Sequence, residues 1–149
     1  MKNLSLGKST VWFARISVLL VFAINVQCAL SFLIFPDHFL GAYELNGVSG
    51  KIAIQGLAIA FLMWNTTYPL VIVHPEKYRT LYVVILAQQL IGLIGETILF
   101  LTIPVGHVTL SASILRFILF DGVGLVLMGI AFGLLVRALK KGHRSTPHE

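Results

Sequence analysis

Four apolar runs decide what this chain can become: 10–35, 51–73, 80–104 and 113–139. Each is about 20 residues or longer, which lets a helix rising 1.5 Å per residue cross a hydrocarbon core of about 30 Å. That core holds no water to bind backbone amides, so a spanning segment must satisfy its own N–H and C=O groups, and a helix does so. Charge is scarce to match. Of the 149 residues, 57% are hydrophobic and 11% charged, against about 25% charged in a soluble domain. Such a chain could not cover its own surface in water. The expected fold is all-α: one polytopic domain over 1–149, with four spans and a polar tail at 140–149 that frays. The expected location is the cell membrane, with the lipid bilayer as the main partner.

Lys2 and Lys8 give the first run the charged start of a signal peptide. The run is much longer than a signal core of about 7–15 residues, and no small-residue cleavage site follows, so it is read as a retained span. Four spans return both termini to one side. Lys2, Lys8, Arg15, Lys77, Arg79, Arg137, Lys140, Lys141 and Arg144 share that side, and Lys51 and Arg116 share the other. An excess of basic residues marks the cytoplasmic face, so both termini are expected there. The formal charge of +5 then reflects sidedness, and no nucleic-acid partner is expected. Short links between spans favour an up-down-up-down four-helix bundle. Trp12, Tyr43, Tyr78 and Tyr82 fall near the expected membrane interfaces, as an aromatic belt would. Cys28 is the one cysteine, which rules out an intrachain disulfide, a CxxC pair or a zinc cluster.

Lipid gives helices no hydrophobic reason to pair, so small residues and polar contacts hold them. The "GIAFG" stretch (129–133) is a GxxxG, and Gly122 shares its stripe. Gly56 with Ala60, and Gly92 with Gly95, offer further small surfaces. Close packing inside the bundle and a homodimer face both fit this pattern. Pro69 predicts a kink in the second span, with the polar groups of "NTTYP" (65–69) taking up the freed backbone.

Two acids interrupt the apolar runs. Glu96 sits in "IGLIGETILFLTIP" (91–104) and Asp121 in "RFILFDGVGLVLMGI" (116–130). Each lies eight residues from its helix end, about 12 Å deep at 1.5 Å per residue. On neighbouring antiparallel helices they would share one layer in the outer half of the bilayer. Gln27 of the first span falls near that layer and Gln55 of the second slightly above it. Gln89 is seven residues from Glu96 and shares its face.

An acid inside a membrane marks a candidate functional site. Three readings of this polar layer stay open: a network that glues four helices together, a site for a lipophilic ligand such as a quinone or a sterol-like lipid, or proton-coupled export of a small molecule by a homodimer. Asp37, His38, Glu44 and His107 lack metal-ligand spacing. No nucleotide loop, catalytic triad, nucleophile elbow or haem-ligand pair appears, so the sequence carries no cofactor motif and no sign of catalysis by this chain alone.

The stretch "FPDHFLGAYELNGVSGKIAIQGLAIAFLMW" (35–64) places a Pro after the first span, then a Gly-containing loop, then a Gly/Ala-rich span that starts with a polar residue. Together with "RFILFDGVGLVLMGI" it resembles the DoxX-like group of small four-helix membrane proteins. That resemblance spans nearly the whole chain. It implies an accessory or scaffold subunit working beside other membrane subunits, since some relatives belong to membrane oxidoreductases that pass electrons to quinone. Gln55 stands where such proteins often carry a basic residue. A weaker likeness is to the four-helix scaffold family of ergosterol biosynthesis, which has an acid on its third span comparable to Glu96.

Overall fold

The computed structural model describes the backbone of residues 2–144 and the side chains of 7–141. It is all-helical, with no strand among the described residues: α1 (Lys2–Ile34), α2 (Asp37–Leu40), α3 (Gly47–Trp64), α4 (Tyr68–Val73), α5 (Arg79–Thr102) and α6 (Val108–Arg144). Four stretches are long and apolar enough to cross a membrane: Gly7–Ile34, Gly47–Val73, Arg79–Thr102 and Val108–Lys141. Their outward faces carry Leu19, Ile59, Val83, Leu119 and Val126, all exposed, as lipid contact requires. The protein is thus built as a multi-pass helical membrane protein. Of the tail expected to fray, 140–144 continues α6 and 145–149 lies outside the described residues.

The second span is broken where Pro69 predicts it. A 3₁₀ turn (Asn65–Thr67) separates α3 from α4, and Pro69 sits in the first turn of α4, where its missing N–H costs nothing. Asn65 Nδ2 donates to the Phe61 carbonyl and Thr66 Oγ1 to the Met63 carbonyl, each at 2.8 Å. The Asn65 backbone N–H bonds the same two carbonyls, so the side chains reinforce the turn.

α1 packs against α3, α4 and α6, while α5 packs against α6 and α4. Two buried clusters result. In one, Ala14, Val18 and Val21 of α1 meet Tyr68 and Val71, Tyr82 and Ile85, and Met128, Ala131 and Leu135. In each helix these positions recur at three or four residues, so they form one face. The other cluster joins Phe32 to Ile54 and Ala58, with Phe39, Tyr43 and Phe117 packed around it.

Two expectations need correcting. Tyr82 is fully buried and donates its hydroxyl to the Met128 carbonyl at 3.1 Å. It shares a face with Ile85 and Gln89, and a backbone acceptor replaces the interfacial water that a belt tyrosine would use. The "GIAFG" glycines do not hold the bundle together, because a Cβ added at Gly129 or Gly133 would meet nothing within 4 Å. Both lie off the stripe of Gly124, Met128, Ala131 and Leu135 that α6 turns inward. Of Gly122, Gly129 and Gly133, only Gly122 meets another helix, a Cβ there falling 3.8 Å from Leu93 Cδ1, and the closest approaches between α5 and α6 are at Gly92 and Gly124.

At one end, the 36–46 loop is tied to the start of α6. His107 Nδ1 donates to the Glu44 carboxylate, whose other oxygen accepts the Leu110 N–H at 3.3 Å. Ser113 Oγ donates to the Ala42 carbonyl at 2.7 Å. A carboxylate at a helix N-terminus satisfies an orphan amide and complements the helix dipole. That is why α6 begins at Val108 and not near Ser113. Glu44 itself adopts a left-handed backbone (φ 53°) to reach this position. Lys51 pairs with Asp37 at 2.8 Å, but both are exposed, so the pair adds little stability.

The His107 hydrogen bond holds the Glu44 carboxyl below its ordinary value of 4.5; partial burial opposes the effect, and the Leu110 amide adds to it. A carboxyl lowered on folding stabilises the folded state above 4.5 and loses that contribution as pH falls through its folded value. The protection factor of the Leu110 amide should therefore be constant at neutral pH and drop on acidification below about 4.5. Glu44→Gln should remove that dependence. A protection factor flat across this range in the wild type would refute the tie.

Candidate functional site

The face of α5 that carries Gln89, Gly92 and Glu96 turns toward α6 and the broken second span. Spacings of three and four residues stack these three side chains along one stripe. Gln89 is only 3% exposed, so both ends of its amide need partners. Its Nε2 donates to Asp121 Oδ1 at 2.7 Å, and its Oε1 accepts the Tyr68 hydroxyl at 3.4 Å. Tyr68 is the first residue of α4, so the break before Pro69 is what aims its ring inward. A polar chain thus links α4, α5 and α6 through Tyr68, Gln89 and Asp121.

Two glycines make the chain fit. Gly92 lies against Asp121 Oδ2 so closely that a Cβ there would overlap it. Gly124 lies under Gln89, where a Cβ would come within 3.2 Å of Nε2 and 3.3 Å of Val21 Cγ2. The glycine on each helix leaves room for the polar side chain of the other.

Beside the chain is a cavity of about 60 Å³, lined by Asn25, Phe61, Trp64, Asn65, Gln89, Gly92, Glu96, Phe117 and Asp121. It lies where α3 and α5 part, since α3 packs on α1, α5 packs on α6, and the second span meets α5 chiefly through α4. Glu96 Oε2 is buried in this cavity with no hydrogen-bond partner, and so is Asn65 Oδ1. Both are acceptors. Leaving a buried polar group unpaired costs about 1–3 kcal/mol, more for a charged one. Asn65 Oδ1, and Glu96 Oε2 when its carboxyl is ionised, can each accept from a donor group.

The two acids share this cavity, but Asp121 bonds to Gln89 and not to Glu96. Gln27 and Gln55 lie elsewhere. Gln27 is exposed on the outer side of α1, in a shallow groove with Val26, Leu30 and Ile34. Gln55 Nε2 donates to the Leu33 carbonyl at 3.1 Å and so caps the end of α1. Their places in the cavity are taken by Asn25 and Asn65. Asn25 is two residues from Gln27, about 200° round the helix, on the stripe of Val18, Val21 and Phe32. That stripe was the available signal: Asn25 lies at i+4 from Val21 and i+7 from Val18. Asn65 reads from sequence as backbone repair near Pro69, and it does bond Phe61, but only through its Nδ2.

The described residues contain no cluster of three or more His, Cys, Asp or Glu able to hold a metal.

Gly92→Ala should force the Asp121 carboxyl away from Gln89 and lower stability by about 1–3 kcal/mol. Gly95→Ala, at an open position on the same helix, should be neutral or slightly stabilising. Thermal unfolding of the two variants in one detergent compares them; equal effects would contradict the packing described.

No family model, curated protein or solved structure matches the chain.

Proposed function

We propose that this protein is a non-catalytic accessory or scaffold subunit of DoxX-like type that binds the donor-bearing head of a lipophilic molecule at Glu96. The observation that carries this reading is the pair of buried, unpartnered acceptors, Glu96 Oε2 and Asn65 Oδ1, in one cavity. A cavity of about 60 Å³ admits a hydroxyl or amine head, not a whole ligand. A quinol hydroxyl, or the hydroxyl of a sterol-like lipid, supplies such a donor while its apolar body stays between α3 and α5 or in the bilayer. The helices form an up-down-up-down bundle in the cell membrane with both termini cytoplasmic. The nine-to-two split of basic residues supports this sidedness. The Glu44–His107 contact, which joins the first and last inter-span links, supports the topology.

A second reading is proton-coupled export by a homodimer. It is favoured by the open faces of Gly129 and Gly133, where another copy could pack closely.

Protein extracted in mild detergent and analysed by mass spectrometry for co-extracted quinols and lipids separates these readings. Glu96→Gln should lose the bound species about tenfold or more, as expected when a charge-assisted hydrogen bond of about 1.5–3 kcal/mol is removed. An unchanged set of bound lipids would overturn the binding reading. Proton-driven substrate movement in proteoliposomes that Glu96→Gln abolishes would establish the exporter.

A further inference from the structure

A second, larger cavity of about 280 Å³ lies between α1 and α6, beneath the 36–46 loop. Its walls are aromatic: Phe32, Phe39, Tyr43, Phe117 and Phe120. Arg116 also lines it. We propose that this cavity binds an anionic phospholipid of the surrounding bilayer, with the lipid phosphate on Arg116 and part of one acyl chain among the rings.

The polar groups of this cavity point to an anion. Arg116 has no carboxylate partner among the described residues, and the two acids at this end are engaged, Asp37 by Lys51 and Glu44 by His107. A guanidinium offers only donors, in a planar fork that matches a phosphate. The Tyr43 hydroxyl is buried without a partner. Burial holds its phenol above the ordinary value of 10, so it remains a neutral donor. Ser113 Oγ already serves the Ala42 carbonyl and fixes the loop that roofs the cavity. Arg116 thus lines an apolar space with no carboxylate paired to it among the described residues, and the unpartnered Tyr43 hydroxyl is buried in the wall of that space.

Size and depth agree. Ligand cavities run from about 300 to 1,000 Å³, so this one holds a length of acyl chain while the rest of the lipid stays in the bilayer. Arg116 lies eight residues into α6, about 12 Å along its axis. Its long side chain can place the guanidinium toward the headgroup level. The smaller cavity has the opposite character, with spare acceptors in place of spare donors. Asn25 and Phe117 line both cavities, so the two sites stand back to back and select opposite ligands.

The experiment is native mass spectrometry of the intact protein in detergent, titrated with phosphatidylglycerol or phosphatidylcholine of identical chains. The wild type should prefer phosphatidylglycerol by about tenfold, the value of one charge-assisted contact. Arg116→Gln should abolish the preference, and Arg116→Lys should keep part of it. Cys28→Phe fills the cavity and leaves Arg116 in place; it should weaken binding of both lipids. Ala42→Leu, on the roof, fills the same space if Cys28→Phe does not fold. Inorganic phosphate should not compete at concentrations that saturate the lipid. Three results would each overturn the proposal: a preference that survives Arg116→Gln, filled-cavity variants that bind phosphatidylglycerol like the wild type (Arg116 merely reaching headgroups), or competition by free phosphate. Glu96→Gln should leave the preference intact, so failure here and failure of the quinol or sterol reading are separate results.

Discussion

The hydrogen bond from Gln89 Nε2 to Asp121 Oδ1, 2.7 Å long, organises the middle of this protein. A lone carboxyl inside a bilayer is costly and turns toward protein or water. Here it is met by an amide from the neighbouring helix, and that amide is held in turn by Tyr68. For the pair to meet, α5 and α6 must approach closely, which Gly92 and Gly124 permit. For Tyr68 to join, the second span must break, which the 3₁₀ turn and Pro69 bring about. Past the break, α4 packs on both α1 and α5, while α3 stays with α1. The fold and the candidate site follow from satisfying one buried acid.

The two carboxyls therefore have different work. Asp121 is spent on structure, since it is bonded and packed against Gly92. Glu96 sits one helical turn beyond Gly92, has no partner, and faces the cavity. On the other side of Phe117 and Asn25, Arg116 lines an aromatic space, with the unpartnered Tyr43 hydroxyl buried in its wall. A small bundle has little interior to spare, so two cavities with a shared wall and opposite polarity suit two amphiphiles better than two parts of one polar substrate.

Much of this was legible in the sequence because it depends on counting. Four apolar runs give four helices. Glu96 and Asp121 do line one cavity, but not through equal depth: α5 ends at Thr102 and α6 begins at Val108, so Asp121 lies deeper than counting implies and sits level with Gln89 and Gly92. Gln89 follows from its place on the Glu96 stripe. What counting misses is rotation. Depth alone favours Gln27 over Asn25, yet 200° of helix turn sends Gln27 to the outer surface and Asn25 to the cavity. Gln55 sits at the right side of the bundle but meets the exposed carbonyl of Leu33 first. Asn65 lies beyond the expected layer, and only the break in its helix brings it to Glu96. Tyr82 was misread for the same reason: its height suits a belt, while its face belongs to the core. The early start of α6 depends on Glu44, more than sixty residues earlier in the chain, and no local signal reveals it.

The central claim is that Asp121 holds the helices together while Glu96 is held ready for a ligand. Thermal unfolding of Asp121→Asn and Glu96→Gln, in the same lipid-free detergent, tests it most directly. The account predicts that Asp121→Asn lowers stability by about 1 kcal/mol, in the range of hydrogen bonds between membrane helices. Glu96→Gln should be neutral or stabilising, because it removes an unpaired buried carboxylate. A Glu96→Gln protein as destabilised as Asp121→Asn, or more so, would contradict the account and return both acids to the role of structural glue.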